Sequence, residues 1–304
     1  MKILFTGGTG LIGSELIKHL AHHQIVLLTR DIPNAEKKLL HMPPGTITYI
    51  DDLHNLAHLD DIDAVINLAG EPIADKRWST KQKQIICDSR WQITEQLVEL
   101  IERSTTPPHT FISGSAVGFY GDQGQFAVDE ELRVDSQAFT HQICYLWEQI
   151  ALKAQSSKTR VCLLRTGVVL SPCGGALKKM LPPYKLGLGG PIGNGDQFMP
   201  WIHILDMVNA ILFILNNPKL TGAVNLCAPH PITNQTFSET LANSLHRPHL
   251  FSTPAWLIRL LMGESSALLL DSMRVKPSKL TRAGFEFQFP RLDQALKQLL
   301  ETPC

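Results

Sequence analysis

Short apolar runs recur along the first two-thirds of the chain, each separated from the next by a longer amphipathic stretch. They span Lys2–Thr6, Gln24–Arg30, Thr46–Ile50, Ala64–Ala69, Thr110–Ser115 and Val161–Arg165. Continuous apolar runs of this length suit strands buried on both faces. The stretches between them, above all Lys81–Glu102 and Gln137–Gln155, read as helices. Such alternation predicts an α/β fold, a doubly wound parallel sheet with helices on both faces. After residue 170 the pattern changes. Pro182-Pro183 and the glycine-rich stretch 186–195 read as a loop over a cleft, followed by a helix at Asp206–Leu215, a strand at Ala223–Cys227 and a helix at Phe237–Leu245. From Phe251 on, proline-broken helical pieces at Ala255–Met262 and Leu292–Leu300 suggest a small terminal unit. The expected division is 1–170 for the sheet domain, also receiving parts of 200–230, then 171–250 for lid and substrate-side segments, and 251–304 for a small C-terminal domain. No internal repeat or low-complexity tract is present.

The first run leads into Thr6-Gly7-Gly8-Thr9-Gly10-Leu11-Ile12-Gly13, a strand, a three-glycine turn and a helix. Each of Gly7, Gly10 and Gly13 has a task at a nucleotide site: the tight turn, close approach of backbone to a pyrophosphate, and close packing of helix on strand. N–H groups at the helix start then face the phosphates, where the helix dipole favours negative charge. The Gly-x-x-Gly-x-x-Gly spacing points to the short-chain dehydrogenase class. The second run ends in Arg30, where an NAD site would carry an acidic residue for the ribose 2′-hydroxyl. A guanidinium there favours a 2′-phosphate, so the expected cofactor is NADP (NADPH) in preference to NAD.

Composition narrows the class further. Of 304 residues, 44% are hydrophobic, and 28 basic residues balance 28 acidic ones, which gives no reason to expect nucleic acid or an anionic membrane as partner. No charged-then-apolar leader opens the chain and no apolar stretch approaches a membrane span, so the expected location is cytoplasmic. Cys87, Cys144, Cys162, Cys173, Cys227 and Cys304 form no Cys-x-x-Cys pair and read as reduced, mostly buried thiols. The twelve histidines show no metal-ligand spacing, and no metal is expected. The expected partner is an unidentified small-molecule substrate, with a homodimer the assembly open to the chain.

Several longer strings carry a resemblance across nearly the whole chain: Asn67–Ala74 (NLAGEPIA), Arg77-Trp78, Ser89-Arg90, Ser115–Gly121 (SAVGFYG), Arg165–Ser171 (RTGVVLS), Gly187–Gly193 (GLGGPIG), Gln197–His203 (QFMPWIH) and Asn225–Pro229 (NLCAP). Together they resemble the extended short-chain dehydrogenases, specifically the nucleoside-diphosphate-sugar epimerases of the YfcH type. The tail, with Leu245–Pro248, Ala283–Phe285 and Phe289-Pro290, is similar to the small domain that ends those proteins. The resemblance implies a Rossmann-like domain binding NAD(P), usually NADP(H), and a smaller substrate domain. It also implies that Thr9, Leu11, Ile12, Leu68, Ala69, Gly70, Arg90 and Val169 line the cofactor beside the glycines and Arg30.

The chemistry departs from that class. Most short-chain dehydrogenases use a Tyr-x-x-x-Lys pair, the lysine lowering the tyrosine pKa for proton transfer. None occurs here. Tyr145 is followed four residues later by Gln149, and Lys153 lies two turns on, roughly 12 Å along a helix axis. Aligning Trp147-Glu148 with the corresponding helix of epimerases puts Thr140 and Cys144 where the pair should stand. Ser115, at a strand end, is a candidate to hydrogen-bond a substrate carbonyl, or else caps the next turn. Tyr120 is a candidate proton donor, or else packs with its hydroxyl satisfied. Glu71, Trp201 and His203 are further candidates; His203 either titrates near neutrality or is fixed by hydrogen bonds. Asp206 is expected to cap the helix that follows. Arg77 and Arg165 would each hold an anionic substrate or pair inside the domain. Two classes remain open: an NADP-dependent oxidoreductase or epimerase acting on a small carbonyl or nucleotide-sugar substrate, and a non-catalytic NADP(H)-binding regulatory or interaction protein.

Overall fold

A computed structural model describes residues 1–301, and Cys304 lies outside the described residues. In chain order the strands are β1 (Lys2–Thr6), β2 (Gln24–Leu28), β3 (Ile47–Ile50), β4 (Ala64–Asn67), β5 (Thr110–Ala116), β6 (Ala127–Val128), β7 (Arg160–Thr166), β8 (Val168–Leu170), β9 (Trp201–His203), β10 (Gly222–Leu226) and β11 (Arg274–Val275). The helices are α1 (Leu11–Lys18), α2 (Ile32–Lys38), α3 (Thr80–Arg103), α4 (Phe139–Leu152), α5 (Gly175–Lys185), α6 (Ile204–Asn216), α7 (Asn234–Ser244), α8 (Ala255–Met262), α9 (Ala267–Leu270), α10 (Ser278–Arg282) and α11 (Leu292–Glu301).

Seven parallel strands form one sheet in the order β10-β7-β5-β4-β1-β2-β3. The continuous apolar runs are explained by burial on both faces. Along β1, Ile3 and Phe5 enter the core under α1 and α6, whereas Leu4 enters the core under α3 and α4. The same alternation holds in β4, where Ala64 and Ile66 face one way and Val65 the other, and in β7 for Cys162 and Leu164 against Val161 and Leu163. This is the doubly wound, Rossmann-like α/β architecture that the pattern predicts. Strand order reverses at β1, between β4 and β2, which opens a crevice at the carboxyl ends of these strands.

One expectation is corrected. Pro182 and Pro183 lie inside α5 rather than in a loop. Leu177, Leu181 and Tyr184, spaced on one helical face, are buried and dock the helix onto the larger core. That burial offsets the two missing N–H donors, and the chain leaves the helix only where the amides of Leu186, Gly187 and Leu188 bond back to Pro182, Tyr184 and Pro183. No helix among the described residues is long and apolar enough to cross a membrane.

Candidate functional site

The turn after β1 is built by steric exclusion. Gly7 has φ +75°, and a Cβ there would lie 2.5 Å from the carbonyl carbon of Leu68. A methyl on Gly13 would collide with the Gly7 carbonyl oxygen and stand 2.7 Å from the Gly8 Cα. Helix α1 therefore starts tight against the strand, with the Gly10 N–H donating to Gly7 O at 3.1 Å. Its N-cap, Gly10, has no side chain to accept from the first turn, and no acidic residue occupies that turn. The open N–H groups fit a phosphate.

Leu68 and Ala69 neighbour this turn, and the other predicted cofactor residues lie on the segments around it. Thr6 Oγ1 donates to Asn67 Oδ1 at 2.6 Å and accepts from the Ala69 N–H at 3.3 Å, holding the Leu68–Gly70 segment beside Gly7. Arg90, on α3, lies against Gly70, where a Cβ would be 2.9 Å from its guanidinium carbon. It donates to the carbonyls of Ile86 and Glu71 at 2.9 and 3.0 Å and lies 5.4 Å over the Trp147 ring. Burial pulls its pKa down, and no carboxylate among the described residues forms an ion pair with it. The segment after Val169 reaches Leu11, whose side chain is within 3.1 Å of a Cβ on either Gly174 or Gly175. Arg30 stands exposed just past β2.

Beyond the turn, at the end of β5, lies a buried polar cluster. Ser115 Oγ donates to Glu148 Oε1 at 2.7 Å. Arg165, paired in register with Ser115 on β7, donates from Nε and Nη2 to the two oxygens of Glu148, both at 2.9 Å. Its Nη1 donates to the Tyr120 hydroxyl at 3.0 Å, and that hydroxyl donates to Asn225 Oδ1 at 2.8 Å. The guanidinium also lies 3.5 Å over the Phe119 ring. Burial lowers the Arg165 pKa, but Glu148 and Tyr120 more than offset this and the net direction is upward. Burial pushes the Tyr120 phenol up to about 12 against the opposing pull of Arg165.

These contacts decide several open alternatives. Arg165 pairs inside the domain with Glu148, while Arg77 stays exposed beside Gly263. Tyr120 is fully buried with both hydroxyl lone-pair and proton engaged by side chains. Cys144, where the dyad would stand, is buried, and its thiol is pushed up to about 12 by burial first and Glu148 second. Thr140 packs on Gly118. Tyr145 is 44% exposed and stacked on His141 with centroids 5.7 Å apart. Glu71 pairs with Lys76 at 3.1 Å. Trp201 is buried in the larger core, so its ring lines no open cleft, and its indole N–H has no partner among the described residues.

His203 is fixed rather than titrating near neutrality. Its Nδ1 accepts from the Leu205 N–H as the N-cap of α6, its Nε2 meets Gln298 Oε1 at 2.8 Å, and its ring stacks on Phe289 at 3.9 Å. Burial lowers its pKa to about 4. Asp206 is not the cap expected of it. It sits inside the first turn, and its carboxylate accepts the N–H groups of Gln288 and Phe289 at 2.7 and 2.9 Å. Glu148 enters the sequence reading only as part of the Trp147-Glu148 string used to align α4, not as a site residue.

Comparison with known proteins identifies the family. Residues 3–227 match the NAD dependent epimerase/dehydratase family, and residues 253–299 match a domain of unknown function, DUF1731. The chain is 37% identical to "Epimerase family protein SH2119" of Staphylococcus haemolyticus over 99% of both chains. It superposes on the human epimerase family protein SDR39U1, solved with NADPH, with a TM-score of 0.90 and 31% identity over 100% of both chains. A UDP-glucuronic acid 4-epimerase from Bacillus cereus, solved with NAD, shares the fold at TM-score 0.75 and 18% identity, with 98% of this chain and 96% of that one covered. Fold and glycine turn together define a nucleotide-cofactor protein of the short-chain dehydrogenase type. The chain belongs to the NAD dependent epimerase/dehydratase family.

Proposed function

We propose that this protein is an NADP(H)-dependent oxidoreductase or epimerase acting on a small carbonyl or nucleotide-sugar substrate. The carrying observation is the uncapped glycine turn at the strand-order reversal, with Leu68–Gly70, Arg90 and Val169 gathered near it. In this reading the first-turn amides of α1 receive the pyrophosphate, and Arg90, free of an acid partner, supplies cationic donors nearby. When bound, the cofactor would supply hydride transfer at its nicotinamide. Arg30 selects the 2′-phosphate. Ser115 is the polar group at the β5 end assigned to the reacting oxygen. Its proton is directed to Glu148 in this structure, so hydrogen-bonding a substrate carbonyl requires the Oγ–H to turn from Glu148 to that oxygen, whereas a substrate hydroxyl in the reverse direction would donate to the Oγ lone pairs. Tyr120 acts through Arg165 and Asn225 as a positioning residue, because its buried phenol is raised to about 12 and is a weak acid at neutral pH.

One observation favours the non-catalytic alternative: the chain has no Tyr-x-x-x-Lys, and in the buried cluster burial of the Tyr120 phenol outweighs the pull of the Arg165 guanidinium bonded to it. The experiment is a search for NADPH oxidation against carbonyl compounds and nucleotide sugars, monitored by absorbance. Turnover abolished by Ser115→Ala supports the enzyme; NADPH binding without turnover on any compound supports the regulatory reading. Cofactor choice is tested separately by Arg30→Asp, which should weaken NADPH far more than NADH. Equal weakening of the two would make Arg30 structural.

A further inference from the structure

The glycine turn is approached by a side chain from the helix that follows Arg30. Lys38 is the last residue of α2, and its Nζ donates to the main-chain oxygen of Thr9 at 3.4 Å. Asp31 starts that helix. Its carboxylate accepts the Asn34 N–H at 3.1 Å as the N-cap, and Pro33 in the first turn stiffens the entry. Asp31 is also the acid closest in sequence to the place where an NAD site carries a ribose-binding carboxylate, and capping commits it to the helix instead.

Arg30 and Lys38 are both exposed, and among the described residues neither forms an ion pair with a carboxylate. The Lys38 ammonium is thus held at the glycine turn, and Arg30 follows the end of β2 by two residues, so both cations belong to the segments that flank the place where the adenosine ribose of a dinucleotide lies on this fold. An ammonium has three donors, and Thr9 engages one of them. The remaining two are available to an anion in that space.

We propose that Lys38 is a second specificity-determining residue, which binds the 2′-phosphate of NADP(H) together with Arg30. The Thr9 carbonyl tethers its ammonium at the site before the cofactor arrives, so less side-chain freedom is lost on binding. Arg30 supplies a planar fork and Lys38 a point charge, two different ways of meeting phosphate oxygens. This inference rests on the reading that the site prefers NADP(H).

The test is a set of fluorescence titrations of the full chain with NADPH and NADH, and competition by 2′,5′-ADP and 5′-AMP, for the wild type, Lys38→Gln and Lys38→Arg. Losing one charge-assisted hydrogen bond should weaken NADPH and 2′,5′-ADP about tenfold or more, with NADH and 5′-AMP changed less than about twofold. Lys38→Arg should retain the preference. If the wild type prefers NADPH and Lys38→Gln prefers it equally, Lys38 plays no part and the role of Arg30 stands. Equal weakening of NADPH and NADH in Lys38→Gln would show that the lysine only shapes the turn through Thr9 and would overturn the proposal. A wild type without preference would overturn the NADP(H) reading and this inference with it.

Discussion

His203 shows how burial turns a residue with catalytic chemistry into a structural one. A neutral imidazole capping α6 and stacked on Phe289 has a pKa of about 4, below the ordinary 6.5. The unfolded chain therefore binds an extra proton between those values. Stability from this group is fully present above pH 6.5 and is lost as pH falls from there toward 4. Between pH 7 and pH 5 the wild type should lose on the order of 2 kcal/mol more than His203→Gln in urea unfolding. An identical loss in both proteins would contradict the assignment. The glycines of the turn were legible in the sequence because Gly10 and Gly13 are constrained by Gly7 and Gly8 within one strand-to-helix connection, whereas the approach of Leu68 to Gly7 comes from the end of another strand, β4. The state of His203 was not, since Gln298 and Phe289, which fix it, come from the far end of the chain.

Between elements, the bidentate pair of Glu148 on α4 and Arg165 on β7 has the largest consequence. Both side chains are buried, 4% and 6% exposed, and the pair also engages Ser115 on β5 and Tyr120 after it. Removing one partner leaves the other charge without compensation. Arg165→Met or Glu148→Gln should each cost about 3–5 kcal/mol of stability in equilibrium denaturation. A loss below about 1 kcal/mol for both would mean that the cluster is open to water. The central strands were readable because they are apolar on both faces, as in β1, β4 and β7. The α5 prolines misled because local propensity favours a break there, and the docking of Leu177, Leu181 and Tyr184 overrides it. Ser115 and Tyr120 were visible as candidates, but the partners that set their protonation and direction lie on other elements.

At the scale of the molecule, Asp206 ties the segment before α11 to α6. Its two carboxylate oxygens take the amides of Gln288 and Phe289, just before α11, which contributes Leu292, Ala295, Leu296 and Leu299 to the larger core. Asp206→Ala leaves those amides without their acceptor and should cost about 1–3 kcal/mol, with faster hydrogen exchange at residues 288 and 289. Unchanged exchange there would show that the segment is held by packing alone. The crevice at the strand-order reversal belongs to the whole fold, and NADP(H) is the cofactor proposed for it. Isothermal titration calorimetry of the wild-type protein with NADPH tests that proposal most directly. Saturable binding of one NADPH per chain, with NADH weaker, is the predicted result, and absence of saturable binding by either nucleotide would contradict the account.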